Sequence, residues 1–135
     1  PQETEQFVMN IMFGENEKTI NKFRLKKSII NAQLLRFIKN QKKGINTTIG
    51  ERGSKISGGE KQRIALARAF YSDKKVIILD EATNALDKKT EEKIFKYLKK
   101  EALNKIIVVI SHNLSLNKYC DNVIKIDMGK AQNVK

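Results

Sequence analysis

An α/β fold with a mainly parallel sheet is predicted by three observations. Two continuous aliphatic runs, Val76-Ile77-Ile78-Leu79 and Ile106-Ile107-Val108-Val109-Ile110, have the length of strands. A helix-forming stretch separates them, long enough for the crossover that parallel strands require. Each run ends in polar residues, Asp80-Glu81 and Ser111-His112, and open α/β sheets bind ligands at the carboxyl ends of their strands.

The elements follow in chain order. Residues 1–14 have no clear period. Leu25, Ile29, Ala32, Leu35 and Ile38 recur at helical spacing, so about 23–40 is expected to be one amphipathic helix. Residues 44–53 carry Gly44, Gly50 and Gly53 and are predicted to be a loop. Ser57 is a good N-cap with Glu60 three residues on, a capping box, and the helix it starts should run to about Tyr71 without a breaker. The run at 76–79 lacks alternation, as expected of a strand buried on both faces. A further helix is predicted over about 88–103, with Ile94, Leu98 and Ala102 on one face. The strand at 106–110 follows, and a short strand at 123–126 leads into Met128-Gly129.

Composition narrows the class. The chain has 135 residues, 40% of them hydrophobic, enough for one modest domain or a piece of a larger one. Its single cysteine, Cys120, permits no internal disulfide and suits a reducing compartment. Neither aliphatic run approaches the length of a bilayer span. The net charge is +12, which suits either an anionic partner or solvated faces. The lysines are scattered and not interleaved with aromatics, as single-strand binders prefer, so no nucleic-acid partner is expected.

Three groups of residues suggest phosphate chemistry. Asp80 is placed to hold Mg²⁺, largely through water, and Glu81 to orient or deprotonate an attacking water. The plain alternative is a strand that ends in solvated acids. His112, the only histidine, is placed to touch a phosphate, or is simply structural. Ser57-Gly58-Gly59 opens a helix whose free N–H groups and dipole attract anions, although Glu60 competes for the same positive end.

The order and spacing of these pieces resemble the nucleotide-binding domain of ABC transporters. Ile56-Ser57-Gly58-Gly59-Glu60 resembles the family's signature motif, usually LSGGQ, with Glu60 in place of Gln. Residues 76–81 resemble its Walker B strand and catalytic glutamate. Asn84-Ala85-Leu86-Asp87 resembles the D-loop, usually SALD, and His112 in "VVISHN" resembles the switch histidine. Thr48-Ile49-Gly50-Glu51-Arg52-Gly53 resembles the TxVGERG segment of exporters, and Ala82 stands where importers more often carry Pro. Gln2 is the candidate Q-loop glutamine, although it lies closer to Asn10 than the family pattern has it.

The resemblance implies a partial P-loop NTPase domain: a helical signature subdomain plus the distal strands of the mainly parallel core sheet. Residues 1–56 would hold the helical subdomain and the GERG loop; 57–135 would hold the signature helix, Walker B, D-loop and switch histidine. It implies ATP and Mg²⁺ as cofactors, with Asp80 the metal residue and Glu81 and His112 catalytic. Ser57, Gly58, Gly59, Glu60, Asp87 and Gln2 would contact nucleotide. Its partners would be a second ATPase domain, packed head to tail, and a transmembrane domain touched by the coupling residues Glu51 and Arg52, at the cytoplasmic face of a membrane. No G-x-x-x-x-G-K-[S/T] loop occurs in the sequence, which begins at Pro1, so a distal half-domain is expected that does not hydrolyse ATP alone. A soluble ABC ATPase of DNA maintenance or translation, or a non-catalytic remnant, are the alternatives.

Overall fold

The computed structural model describes residues 7–12, 20–49 and 56–135. Gln2, Glu51 and Arg52 lie outside these residues. The helices are α1 (Phe7–Ile11), α2 (Lys22–Asn31), α3 (Leu35–Lys39), α4 (Gly58–Ser72) and α5 (Lys88–Glu101), and the strands are β1 (Val76–Asp80), β2 (Ile106–Ile110), β3 (Ile124–Asp127) and β4 (Lys130–Asn133).

α4 is the central helix. Its capping box forms as the sequence predicts: Ser57 Oγ accepts from the Glu60 N–H at 3.2 Å, and a Glu60 carboxylate oxygen accepts from the Ser57 N–H at 2.7 Å. Ile64, Leu66, Ala67, Phe70 and Tyr71 are buried along it. The helix ends at Asp73, whose φ of 51° is left-handed, a position that Asp tolerates better than most residues. Lys105, just before β2, reaches back to Asp73 and to Glu101, which fixes the end of α4 against the end of α5.

The single helix expected over 23–40 is two. Asn21 caps α2 by accepting from the Arg24 N–H at 2.9 Å. Gln33 then takes a φ of 60°, which stops α2, and the chain restarts as α3. The expected apolar period holds as far as the break, with Leu25, Ile29 and Ala32 buried, and shifts there: Leu34 is buried in place of the exposed Leu35, and Phe37 and Ile38 of α3 pack against the core only in part.

β1 and β2 pair in parallel, with Val76 opposite Ile106 and Asp80 opposite Ile110. The expected two-faced burial does not hold. Ile77 and Leu79 are buried on one face, whereas Ile78 is 65% and Ile106 64% exposed on the other, together with Val76, Val108 and Ile110. Pleating sends alternate side chains to opposite faces, and only the inner face meets α4 and α5 side chains among the described residues. The same core takes in Phe7 and Ile11 of α1, Ile64 and Leu66 of α4, Ile94, Phe95 and Leu98 of α5, and Leu116.

The last strand has a partner the sequence reading omitted. β3 and β4 form an antiparallel hairpin across Met128 and Gly129, at φ 47° and 74°. Two positive φ values in a two-residue loop match the twist of the strands it joins, and Gly129 takes one of them without a Cβ to strain. β4 reads Lys130-Ala131-Gln132-Asn133 and carries no apolar pattern, because every residue of the hairpin strands is exposed.

Candidate functional site

The parallel register decides the site. Asp80 and Ile110 are opposed at the strand ends, so the residues after them emerge side by side. The Glu81 N–H extends the ladder to the Ile110 carbonyl at 3.0 Å. Glu81 then turns the chain with a φ of 48°, a left-handed conformation that costs a residue with a Cβ of the order of 1 kcal/mol or more. Such strain persists only where the surroundings hold it, and four contacts do so. Besides the backbone bond, His112 Nδ1 lies 2.9 Å from Glu81 Oε1, the Asn84 amide donates to Oε2, and Gln62 Nε2 donates to the Glu81 carbonyl at 3.3 Å.

The electrostatics follow from these contacts. The Asn84 hydrogen bond, helped by His112 and opposed by slight desolvation, holds the Glu81 carboxyl below its ordinary value. Glu81 is therefore a carboxylate at neutral pH, and the His112 nitrogen facing it carries the proton as Nδ1–H. The Nε2 edge of His112, whose side chain is 81% exposed, is left for a ligand. The side-chain pair with an amide behind it can orient a water molecule and accept its proton.

The start of α4 abuts this turn. A Cβ built on Gly59 would come within 2.8 Å of the Ala85 carbonyl oxygen, and one on Gly58 within 3.7 Å of the Ala85 Cβ. Gln62, one turn into α4, bridges the two pieces: its Oε1 accepts from the Ala85 N–H at 2.9 Å while its Nε2 holds Glu81. Glu60 is bent back onto the Ser57 N–H, so the Gly58 and Gly59 N–H groups are those that a helix start leaves for an anion. Asp87 caps α5, accepting from the Thr90 N–H at 2.9 Å, and the Thr90 hydroxyl, together with this bond, keeps its carboxyl below the usual range.

Asp80 is exposed at the end of β1. Among the described residues no group of three or more His, Cys, Asp or Glu side chains could enclose a metal. A single exposed carboxylate at a strand end, as Asp80 is, is a donor that Mg²⁺ could take, because that ion keeps several waters and uses one or two protein carboxylates. The structure thus brings Glu81 and His112 together and sets Ser57, Gly58 and Gly59 next to their turn. Two supporting residues escaped the sequence reading. Gln62 makes contacts that only the tertiary fold creates; Asn84 was visible as a departure from SALD, but its grip on Glu81 was not.

The site and the fold define a class. The family model for ABC transporters matches residues 1–84, and the chain belongs to that family. Among curated relatives, an ATP-dependent lipid A-core flippase of Cupriavidus pinatubonensis is 38% identical over 122 residues, covering 90% of this chain and 21% of its own length. ABC transporter B family member 6 of Dictyostelium discoideum is 40% identical over 133 residues, 96% of this chain and 19% of that protein. A bacterial Atm1-family ABC exporter solved with ATP bound superposes with a TM-score of 0.82 at 32% identity, over 93% of this chain and 22% of that one. The fold is that of an ABC exporter nucleotide-binding domain, and the chain spans about a fifth of the length of these relatives. Among the described residues no helix is long and apolar enough to cross a membrane.

Proposed function

We propose that this chain is part of the ATP-binding and hydrolysing domain of an ABC exporter, coupling hydrolysis to movement of a substrate across a membrane. The observation that carries the reading is the convergence of Glu81, His112 and Asn84 at the ends of parallel strands, beside the capped glycine start of α4. Relatives named as flippases and exporters favour it over a soluble ATPase of DNA maintenance or translation and over a non-catalytic remnant.

Bound Mg²⁺–ATP supplies the anhydride to be cleaved and a cation that neutralises the phosphate charge. Asp80 is the residue to hold the metal, mostly through water. Glu81 orients a water molecule and takes its proton on a carboxylate lone pair that Asn84 and His112 leave open. His112 presents its Nε2 edge to the terminal phosphate and needs a second proton to donate there. Ser57 with the Gly58 and Gly59 N–H groups, and with them Asp87 and Glu60, would face nucleotide held by a second ATPase domain packed head to tail. Gln2, outside the described residues, would serve the nucleotide from the Q-loop. Glu51 and Arg52 would meet a transmembrane domain at the cytoplasmic face of the membrane, joining a helical part over 1–56 to the catalytic part over 57–135. No nucleic-acid partner is proposed. With no lysine loop among its 135 residues, the chain alone is expected to release no phosphate.

The test is Glu81→Gln in the intact gene product that carries this sequence. The amide keeps the shape but accepts no proton, and loss of one general base slows turnover about 10²–10⁴-fold. ATP binding should survive. Hydrolysis at the parent's rate would overturn the assignment.

A further inference from the structure

Glu91 stands on the wrong face of α5 for a carboxylate. It lies in line with Ile94, Phe95 and Leu98, the buried stripe of the helix, and is itself only 8% exposed. A stripe at this spacing ordinarily takes an apolar residue, and a buried charge is costly unless it is fully hydrogen-bonded. Glu91 is so bonded, on both oxygens. Thr83 Oγ1 donates to Oε1 at 2.7 Å, and Asn113 Nδ2 donates to Oε2 at 3.1 Å.

Those donors come from two different loops. Thr83, 5% exposed, sits two residues after Glu81 in the turn that follows β1. Asn113 directly follows His112 in the loop after β2. The orientation of the Asn113 amide is fixed, because its Oδ1 already accepts from the Ser115 N–H at 3.1 Å and so turns its NH₂ towards Glu91. Asn113 therefore presents hydrogens, and the Glu91 atom facing it must accept, whereas the Thr83 hydroxyl, which can donate or accept, donates to the other oxygen of the carboxylate.

We propose that Glu91 is a positioning residue for ATP hydrolysis: its buried carboxylate ties the turn after β1 to the loop after β2 and so holds Glu81 and His112 at their 2.9 Å approach. The inference rests on the reading that Glu81 and His112 serve hydrolysis. Glu91 touches neither of them and acts through the backbone of the two loops.

The experiment uses the intact gene product, with turnover expressed per nucleotide-binding site, so that a loss of folded protein does not register. Glu91→Gln can keep both bonds by turning its oxygen to the Asn113 NH₂ and its NH₂ to the Thr83 hydroxyl, and should hold kcat within about threefold of the parent. Glu91→Leu removes both acceptors, and Asn113→Asp sets one carboxylate against another. Hydrogen bonds to charged groups contribute about 1.5–3 kcal/mol, so Glu91→Leu and Asn113→Asp should each lower kcat by about tenfold or more, with KM within about twofold for a positional effect. The double variant, Glu91→Gln with Asn113→Asp, restores complementarity. The amide now on α5 donates to the carboxylate now beside His112 and still accepts from Thr83, while that carboxylate still accepts from the Ser115 N–H. Its kcat should return to within about threefold of the parent, the sign of a direct pairwise coupling. Thr83 gives a second, milder pair: Thr83→Ser keeps the hydroxyl and should keep kcat, whereas Thr83→Val loses the donor and should lower it. Glu91→Leu, Asn113→Asp and Thr83→Val that all turn over within twofold of the parent overturn the proposal. So does a double variant no faster than Asn113→Asp alone. Glu81→Gln, measured alongside, separates the two levels. If it stalls hydrolysis while Glu91→Leu does not, the positioning role alone falls; if it hydrolyses ATP normally, both fall.

Discussion

Gly59 offers a sharp test of the junction between α4 and the turn after β1. Replacing it with alanine puts a Cβ 2.8 Å from the Ala85 carbonyl oxygen, where ordinary contact begins at 3.4 Å. The carbonyl must therefore retreat by several tenths of an ångström. It belongs to a turn held by Gln62 through both the Ala85 N–H and the Glu81 carbonyl, so it cannot move without loosening the strained Glu81. Overpacking of this kind costs about 1–3 kcal/mol. Alanine's helix propensity returns at most about 1 kcal/mol, and less in a first turn. The net expectation is a loss of about 1–2 kcal/mol. Gly58 is the control. Its Cβ would rest 3.7 Å from the Ala85 Cβ, an ordinary contact, and removing a glycine from the unfolded chain stabilises by about 0.4–1 kcal/mol. Thermal melts of the two purified variants should therefore differ by about 5–10 °C, with Gly59→Ala the lower. Coincident melts, or a more stable Gly59→Ala, would refute the close approach.

Two predictions concern pH. The Asp73 carboxyl is held below its ordinary value of 3.8, chiefly by the hydrogen bond from Lys105 and against slight desolvation. A depressed folded-state value means stability that is present above about pH 4 and lost as pH falls through that lower value. Asp73→Asn keeps a residue suited to the left-handed cap but should flatten the fall of melting temperature below about pH 4; an unchanged slope would mean that the pair contributes nothing. In the same way Asn84 holds the Glu81 carboxyl down, so Asn84→Ala should move the acid limb of ATP hydrolysis by the intact protein upward, towards the ordinary glutamate value of 4.5. An acid limb that stays in place would count against Asn84 as the main partner.

What could be read in the sequence was local. The capping box at Ser57 and Glu60 needs only residues three apart, and it forms as predicted. The aliphatic runs at 76–79 and 106–110 name their strands unaided. Their burial could not be read there, because an unbroken run does not reveal which face is covered. Gln33 gave no warning of the break between α2 and α3, since Gln, unlike Gly, Asn or Asp, is not a residue type that favours the left-handed region. β4 carries no pattern at all, although Met128-Gly129 between two short segments was a turn signal. At the site, Glu81 and His112 were legible as polar residues ending neighbouring strands, and the parallel register brings them together. Gln62, Thr83, Glu91 and Asn113 were not, because each acts on a residue far along the chain. Gln2, Glu51 and Arg52 keep only their resemblance to family motifs.

The outer face of β1 and β2 bears on how these 135 residues, taken alone, would behave as a colloid. Val76 and Ile78 lie beside Ile106, Val108 and Ile110, so two adjacent rows of branched aliphatics point into water. A strip of this kind is adhesive, and short apolar strand segments are the usual starting points of aggregation. Against it stands a net charge of +12, which makes molecules repel one another at long range. The two forces respond differently to salt. Repulsion is screened within about 10 Å at 0.1 M ionic strength, whereas apolar attraction is not weakened and is strengthened by sulfate or phosphate. The solubility of these 135 residues taken alone is thus expected to depend on ionic strength and on the choice of anion, and to be highest in dilute, chloride-based buffers.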